Sequence, residues 1–208
     1  MRVWFNVCRA ISVDDVLQKQ FPTVLALRFA LHEPMVGDGE RFVLTRDRVL
    51  FEVRRPWLHA VQPISEPLLR ATPYGDGPKH GIELLCGPVP QHMLDRFIAQ
   101  SRSAFPNETA AWIVWHELEK RFVYQTLTIT SSSNSHVTFQ RPTLPSGWHL
   151  VLDIHSHGAF DAFFSSQDDK DDKDQLCISA VVGHANDQHP VVIARLSMLG
   201  VFCPLGNF

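Results

Sequence analysis

Two histidines separated by one serine follow the apolar segment 148–154 and constrain this 208-residue chain more than any other feature. Residues two apart on a β-strand point to the same face, so His155 and His157 can reach one metal ion from a strand end. Asp168, in the loop that follows, can supply a third ligand. Three His and Asp ligands leave the fourth tetrahedral position open to water, which is typical of catalytic zinc. The segment therefore predicts a catalytic Zn²⁺ site formed by His155, His157 and Asp168.

Ser165 lies between the histidines and Asp168 and has two predicted roles. Its hydroxyl can donate a hydrogen bond to an oxygen that becomes negatively charged when a carbonyl is attacked. Ser165 also suits the N-cap of a helix that begins near Gln167, and the two roles can coexist. The other aspartates of this run are expected to be solvated, as charge clusters at helix starts usually are: Asp169, Asp171, Asp172 and Asp174. Asp153 and Asp161 are close enough in sequence to orient the histidines.

The pattern of His155-Ser156-His157, Ser165 and Asp168 resembles the signature of the JAMM (MPN-plus) metalloproteases. These are zinc isopeptidases that cut ubiquitin-like proteins from their conjugates. Every motif position matches, although relatives often have proline after the second histidine, where this chain has Gly158. The resemblance covers residues from about 88 to the end. It implies a mixed β-sheet flanked by helices, a bound Zn²⁺, and hydrolysis of a peptide or isopeptide bond by water that the zinc activates.

Such a reaction also needs a group that takes a proton from water and gives one to the leaving amine, and a nearby glutamate can do both. Glu108 precedes an apolar run of strand length, residues 109–115. Glu117 and Glu119 lie in the polar break after that run, which predicts an exposed hairpin. At about 3.3 Å per residue the strand ends are roughly 30 Å apart, so both ends cannot serve one metal. The resemblance places the catalytic glutamate at the start of such a strand and favours Glu108. The alternative is a surface charge at a strand end.

Composition narrows the class of protein. A net charge of −3 and a hydrophobic content of 45% fit a folded domain without a nucleic-acid footprint. No apolar run approaches the roughly 20 residues of a membrane helix, and the chain does not open with a signal-like segment. The sequence thus predicts a cytoplasmic protein with no membrane or nucleic-acid partner, and it carries no signal for an oligomeric state. Four cysteines without a Cys-x-x-Cys pair are expected to be reduced, buried thiols: Cys8, Cys86, Cys177 and Cys203.

The chain is predicted to contain two modules, residues 1–87 and 88–208. In the first, short strand-like runs alternate with turn signals after a short helix at 14–20, which indicates a β-rich N-terminal module. In the second, the helical period predicts a helix over 91–101. The remaining strands are predicted at 109–115, 121–130, 148–154, 176–182 and 191–196. The predicted fold class is α+β, a JAMM/MPN-type mixed β-sheet flanked by helices and preceded by the small β-rich module.

A narrower resemblance covers both modules. Ala162-Phe163-Phe164-Ser165 and Arg54-Arg55-Pro56-Trp57 resemble the A proteins of the PRTRC system, a bacterial cassette with ParB-related and ThiF-related members. This resemblance implies a ubiquitin-like protein as the substrate and a ThiF-like activating enzyme as a partner.

Three alternatives stay open at the level of sequence. Barrel-type metal hydrolases also use His-x-His, but too few residues follow His157 for a barrel of about 250 residues. A non-catalytic MPN-type scaffold would bind a partner without metal, and it would be expected to have lost a ligand. In the third alternative, the N-terminal module binds a cassette partner and the zinc only supports the structure. An open coordination position for water distinguishes a catalytic site from that alternative.

Overall fold

The computed structural model describes residues 14–207, which divide into two compact units between Leu85 and Cys86. The sequence-based boundary falls after residue 87, within the same loop. Across the described residues, no helix is both long and apolar enough to cross a membrane. Cys177 and Cys203 are buried and Cys86 is half-buried, and all three are free thiols. Cys8 lies outside the described residues.

From residue 14 onward, the N-terminal unit contains helix α1 (residues 14–20) and five strands that form one sheet: β1 (Thr23–Leu25), β2 (Gly39–Leu44), β3 (Val49–Arg55), β4 (Leu58–Pro63) and β5 (Gly81–Leu84). The strands follow one another in the order of the sequence, with β1 parallel to β2 and all other neighbours antiparallel. Four buried apolar residues form a core cluster in this unit: Ala26, Val43, Leu50 and Val61.

The C-terminal unit carries the predicted site, and it contains the following elements: α2 (Gln91–Ala104), β6 (Ala110–His116), β7 (Arg121–Thr126), β8 (Ile129–Ser132), β9 (Val137–Phe139), β10 (Trp148–Ser156), α3 (Ser166–Asp172), β11 (Leu176–Gly183), β12 (Val191–Met198) and β13 (Val201–Asn207). Six strands form a mixed sheet in the order β13-β12-β11-β10-β6-β7, and β8 pairs with β9 in a separate hairpin. The predicted α+β class, a mixed sheet flanked by helices after a β-rich N-terminal module, is confirmed.

The central strand β10 is antiparallel to β6 and parallel to β11. Parallel neighbours cannot be joined by a hairpin, so the chain crosses over between β10 and β11. Helix α3 lies within this crossover. The loop that leaves the end of β10 is therefore free of strand pairing and can carry functional side chains.

The two faces of the six-stranded sheet are covered by different elements. Trp112 of β6 packs against Phe139 of the β8–β9 hairpin in one apolar cluster. Tyr124 is paired with Ile113 on the opposite face, and its hydroxyl donates a hydrogen bond of 2.7 Å to Gln100 of α2. The hairpin therefore covers one face and α2 covers the other.

The predicted continuous strand over residues 121–130 is wrong. β7 ends at Thr126, and β8 begins at Ile129 in the separate hairpin. Leu127, between them, is 5% exposed and packs into the cluster around Trp112. Burial of this side chain draws the backbone away from the sheet edge and over the sheet face. As a result Ser131 and Ser132, which follow the predicted strand, also lie in a strand and belong to β8.

Candidate metal centre

Strand β10 carries the two histidines to the end of the sheet. His155 is paired with Ala110 of β6 and with Val181 of β11. His157 follows the strand, and its backbone N–H donates to the carbonyl of Val182 at 2.8 Å. The Nε2 atoms of the two imidazoles lie 3.1 Å apart. The strand geometry thus directs both rings to one point, as the spacing in the sequence predicts.

Different contacts prepare the two rings as ligands. Nδ1 of His157 lies 3.1 Å from the backbone carbonyl of Asp161. Because a carbonyl can only accept, this contact places the proton on Nδ1 and leaves the Nε2 lone pair facing the site. Burial lowers the pKa of His155, against the opposing effect of Asp168, and a neutral imidazole is the form that binds metal. Asp161 contributes through its backbone, since its carboxylate contacts His184 at 2.6 Å.

Asp168 is held by the start of helix α3. Its backbone N–H donates to the hydroxyl oxygen of Ser165 at 3.2 Å, and its Oδ2 accepts from the Ser165 backbone N–H at 2.6 Å. This reciprocal pair is a capping box with Ser165 as the N-cap. The second carboxylate oxygen, Oδ1, lies 3.4 Å from Nε2 of His155. One oxygen of Asp168 therefore fixes the helix, while the other faces the histidines.

The donor atoms of these three residues fit one tetrahedral zinc ion. They all lie within 4.8 Å of one another. Two donors bonded to one tetrahedral zinc at about 2.0–2.1 Å are roughly 3.4 Å apart, which is close to the two separations described above. Two imidazoles and one carboxylate also leave one coordination position for water.

Glu108 lies at the same end of the sheet as His157. The backbone N–H of Ser156 donates to the Thr109 carbonyl at 2.9 Å, and the Thr109 N–H donates to the Ser156 hydroxyl at 3.1 Å. These bonds join the start of β6 to the end of β10. The Glu108 N–H also donates to the carbonyl of Ser133 at 2.7 Å. The backbone of Glu108 is thereby fixed next to the histidine loop.

The carboxyl group of Glu108 is buried, and its pKa is raised. Glu108 is 6% exposed. Burial, together with the nearby Asp168 carboxylate, raises the pKa of Glu108 to about 7. A group that titrates near neutral pH can both accept and release a proton under physiological conditions.

The other two predicted glutamates lie at the opposite end of β6. Oε2 of Glu117 accepts from Nε2 of His149, at the start of β10, at 2.9 Å. Glu119 pairs with Arg121 across the exposed turn. Neither glutamate lines the cavity that contains the histidines.

A cavity of about 350 Å³ connects the groups at the histidine end. It lies between the β8–β9 hairpin and α3, and both Ser165 and Glu108 line it. Among the described residues, the Ser165 hydroxyl accepts a hydrogen bond but has no acceptor of its own, so its hydrogen can be donated to another group. The ionisable lining includes five carboxylates and one guanidinium: Glu108, Asp153, Asp168, Asp171, Asp172 and Arg141. Even though Glu108 is partly protonated near pH 7 and Asp172 is paired with Arg195, acidic groups outnumber guanidinium groups in this lining, which favours a cation.

The backbone conformation at Gly158 explains why this position differs from the proline that the resemblance implies. Its φ is +54°, in the left-handed region that proline cannot adopt. A Cβ atom at this position would lie 2.5 Å from the carbonyl oxygen of Pro106. The loop therefore requires glycine here, and none of the three donor residues is changed by it.

Sequence reasoning missed the burial of Asp172. This residue was expected to be solvated, but it is 6% exposed and accepts a hydrogen bond from Arg195 of β12 at 2.8 Å. The available signal was Arg195 itself, because a single arginine within an apolar strand is rarely buried without a partner.

Gly183, at the end of β11, was missed as well, and it supports the loop that orients His157. A Cβ atom there would lie 2.2 Å from the backbone nitrogen of Ala162 and 2.6 Å from the carbonyl carbon of Asp161. Gly183→Ala is expected to push this loop away, to destabilise the fold by about 1–3 kcal/mol, and to weaken metal binding. Gly37→Ala is the control, because a Cβ at Gly37 meets nothing within 4 Å. Equal urea denaturation midpoints and equal zinc affinities for the two variants would contradict this expectation.

The fold and the donor set together define the JAB/MPN class of α+β domain. Residues 90–197, just over half of the chain, match the family model described as prokaryotic homologs of the JAB domain. The protein belongs to this family. Residues 12–85 match a second family model, described as a domain of unknown function (DUF2016).

Among solved structures, the chain is similar to the solution structure of protein DSY2949 from Desulfitobacterium hafniense. The two share 18% identity with a TM-score of 0.43, over 56% of this chain and 87% of the other. A search of curated proteins found no match.

Proposed function

We propose that this protein is a zinc-dependent isopeptidase or peptidase of JAMM type that cleaves a ubiquitin-like protein or its conjugate. The observation that carries the proposal is the convergence of His155, His157 and Asp168 on a cavity that Glu108 also lines. The JAB/MPN family includes isopeptidases and non-catalytic members. A complete donor set with an adjacent proton-transfer group supports a place among the former.

Each polar group at the cavity has a proposed task. His155, His157 and Asp168 would hold the zinc, which when bound supplies a Lewis acid that polarises the scissile carbonyl and acidifies water. Glu108 accepts the proton of the attacking water and passes it to the nitrogen of the leaving amine. The Ser165 hydroxyl donates to the carbonyl oxygen as negative charge develops there.

The proposed substrate segment is an extended tail with small residues, such as Gly-Gly, next to the scissile bond. β9 lines the cavity, and among the described strands it pairs only with β8. Its other edge can pair with an extended chain, which would hold the scissile bond in reach. Small residues next to that bond avoid crowding the metal ligands. In this proposal, the ubiquitin-like protein of a PRTRC-type cassette would supply this tail, and a ThiF-like enzyme is the partner that would activate it.

The proposal is tested by incubating the zinc-loaded protein with fusions of the cassette's ubiquitin-like protein. One fusion keeps the terminal glycines, and in the other they are replaced by leucine. Cleavage of the first fusion at least about tenfold faster than the second is expected, with no cleavage by His157→Ala. No cleavage by the wild type, or equal cleavage by His157→Ala, would reject the peptidase and favour a non-catalytic scaffold.

A further inference from the structure

We infer that Arg195 is a positioning residue that fixes Asp168 for metal binding by clamping helix α3 to the sheet. The inference rests on the metal site proposed above. Arg195 does not coordinate the metal in this proposal. It acts through the helix that carries Asp168.

The guanidinium of Arg195 binds two carboxylates of α3. Nη2 donates to Oδ2 of Asp172 at 2.8 Å, and Nη1 donates to Oδ1 of Asp169. Oδ2 of Asp172 also accepts from the Ser197 hydroxyl at 3.3 Å, and that hydroxyl lies 2.9 Å from the hydroxyl of Ser179. The last turn of α3 is therefore tied to both β11 and β12 by a buried polar network.

The same guanidinium also contacts the chain just before the helix. Its central carbon lies 3.9 Å from the ring centroid of Phe164 and 3.9 Å from that of Phe202 of β13. Phe164 directly precedes Ser165, the N-cap of α3. Arg195 thus contacts the chain both before and after Asp168.

Helix α3 needs such a clamp because its own sequence is a weak helix former. It has seven residues, SQDDKDD, and four of them are aspartates. A helix this short is marginal in water, and like charges three or four positions apart destabilise it further. Asp168 and Asp172 are four residues apart and share one face of the helix. Holding Asp172 against the sheet therefore also directs Asp168 toward the histidines.

The direction in which metal affinity changes when Arg195 is replaced distinguishes a positioning role from a purely electrostatic one. A buried guanidinium near a cation site repels the cation, so removal of its charge alone would strengthen metal binding. Loss of the clamp would weaken it, because Asp168 would no longer be held beside His155. Lysine keeps the charge but lacks the planar fork that binds two carboxylates and stacks between rings.

The experiment measures the affinities of the full chain for Zn²⁺ and for Co²⁺, with the visible absorption of bound Co²⁺ as a reporter of coordination geometry. Arg195→Lys and Arg195→Met are each expected to weaken Zn²⁺ binding by about 10–100-fold and to reduce the intensity of the tetrahedral Co²⁺ bands. In the metal-free Arg195 variants, the backbone amides of residues 166–172 are expected to exchange faster with solvent hydrogen than in the metal-free wild type.

Arg141→Met is the charge control. It removes a cation from the same cavity, and Arg141 pairs with Asp153 on the sheet instead of with α3, so unchanged or tighter binding is expected.

Failure of this inference can be distinguished from failure of the metal site. If the wild type binds one zinc and Arg195→Met binds it equally or more tightly, the clamp is rejected and the site stands. If the wild type binds no zinc, the site and the proposed function fall together. If the Arg195 variants do not fold, the Phe202→Leu variant tests the clamp instead. It keeps the charge and removes one stacking contact, so a several-fold loss of affinity with faster exchange of α3 amides supports the clamp, and no change in either rejects it.

Discussion

The His157→Ala variant is expected to lose stoichiometric zinc binding and to keep its fold. The two remaining donors, from His155 and Asp168, cannot close a tetrahedral site, and we expect the affinity to fall by more than about 100-fold. Ligand binding stabilises the native state by an amount that grows with the logarithm of the ratio of free ligand concentration to dissociation constant, so zinc should raise the melting temperature of the wild type much more than that of the variant. Metal content after dialysis at a fixed zinc concentration, together with thermal unfolding, measures both effects.

The matched control is His149→Ala. His149 lies on the same strand, β10, at the end away from the cavity, where it contacts Glu117. We expect this variant to retain one zinc per chain. A double variant without His155 and His157 that still held one zinc per chain would show that the metal binds elsewhere.

Glu108→Gln is expected to retain zinc and to lose turnover by about 10²–10⁴-fold, because glutamine keeps the shape of the side chain but cannot carry a proton. Glu117→Gln is the matched control at the other end of β6 and should be close to wild type. Turnover of a cleavable fusion by the zinc-loaded proteins makes the comparison. A larger loss in Glu117→Gln than in Glu108→Gln would reverse the assignment.

The same substitution has an expected effect on stability that requires no substrate. The folded-state pKa of Glu108 is raised to about 7 from the ordinary 4.5, so the folded protein binds this proton more tightly than the unfolded chain does. Below pH 4.5 both states are protonated and ionisation costs nothing. As the pH rises from about 4.5 to 7, ionisation of the buried Glu108 lowers the free energy of unfolding of the wild type, and this loss is complete above that range. In the presence of a metal chelator, the free energy of unfolding of Glu108→Gln relative to that of the wild type should therefore increase by about 1–3 kcal/mol between pH 4 and pH 8. Urea denaturation at the two pH values measures it, and a constant difference would contradict the burial of this carboxyl group.

Local spacing was enough to predict which side chains meet at the end of β10. His155 and His157 share a strand face, and Asp168 follows on a short loop, so all three donors come from one segment. Strand length shows that Glu108 and Glu117 cannot both reach one metal, and the resemblance to JAMM proteases favours Glu108.

The role of Asp172 could not be found in this way. Its burial depends on Arg195, which is distant in sequence and comes close only because β12 and β11 follow β10 in the sheet. From the sequence alone, Asp171 and Asp172 cannot be distinguished, whereas in the helix only Asp172 faces the sheet. The break between β7 and β8 was hidden for a similar reason, since Leu127 continues an apolar pattern that a strand would also show.

The capping box at Ser165 has a consequence for metal selectivity. Because Oδ2 of Asp168 accepts from the Ser165 backbone N–H, Oδ1 is the carboxylate oxygen that faces the histidines and would bind a metal. The protein donors are then two nitrogens and a single oxygen. Calcium requires six to eight oxygen ligands, and magnesium prefers an octahedral oxygen shell. At the proposed site, the helix cap would therefore favour borderline metals that accept imidazole over the hard cations Ca²⁺ and Mg²⁺.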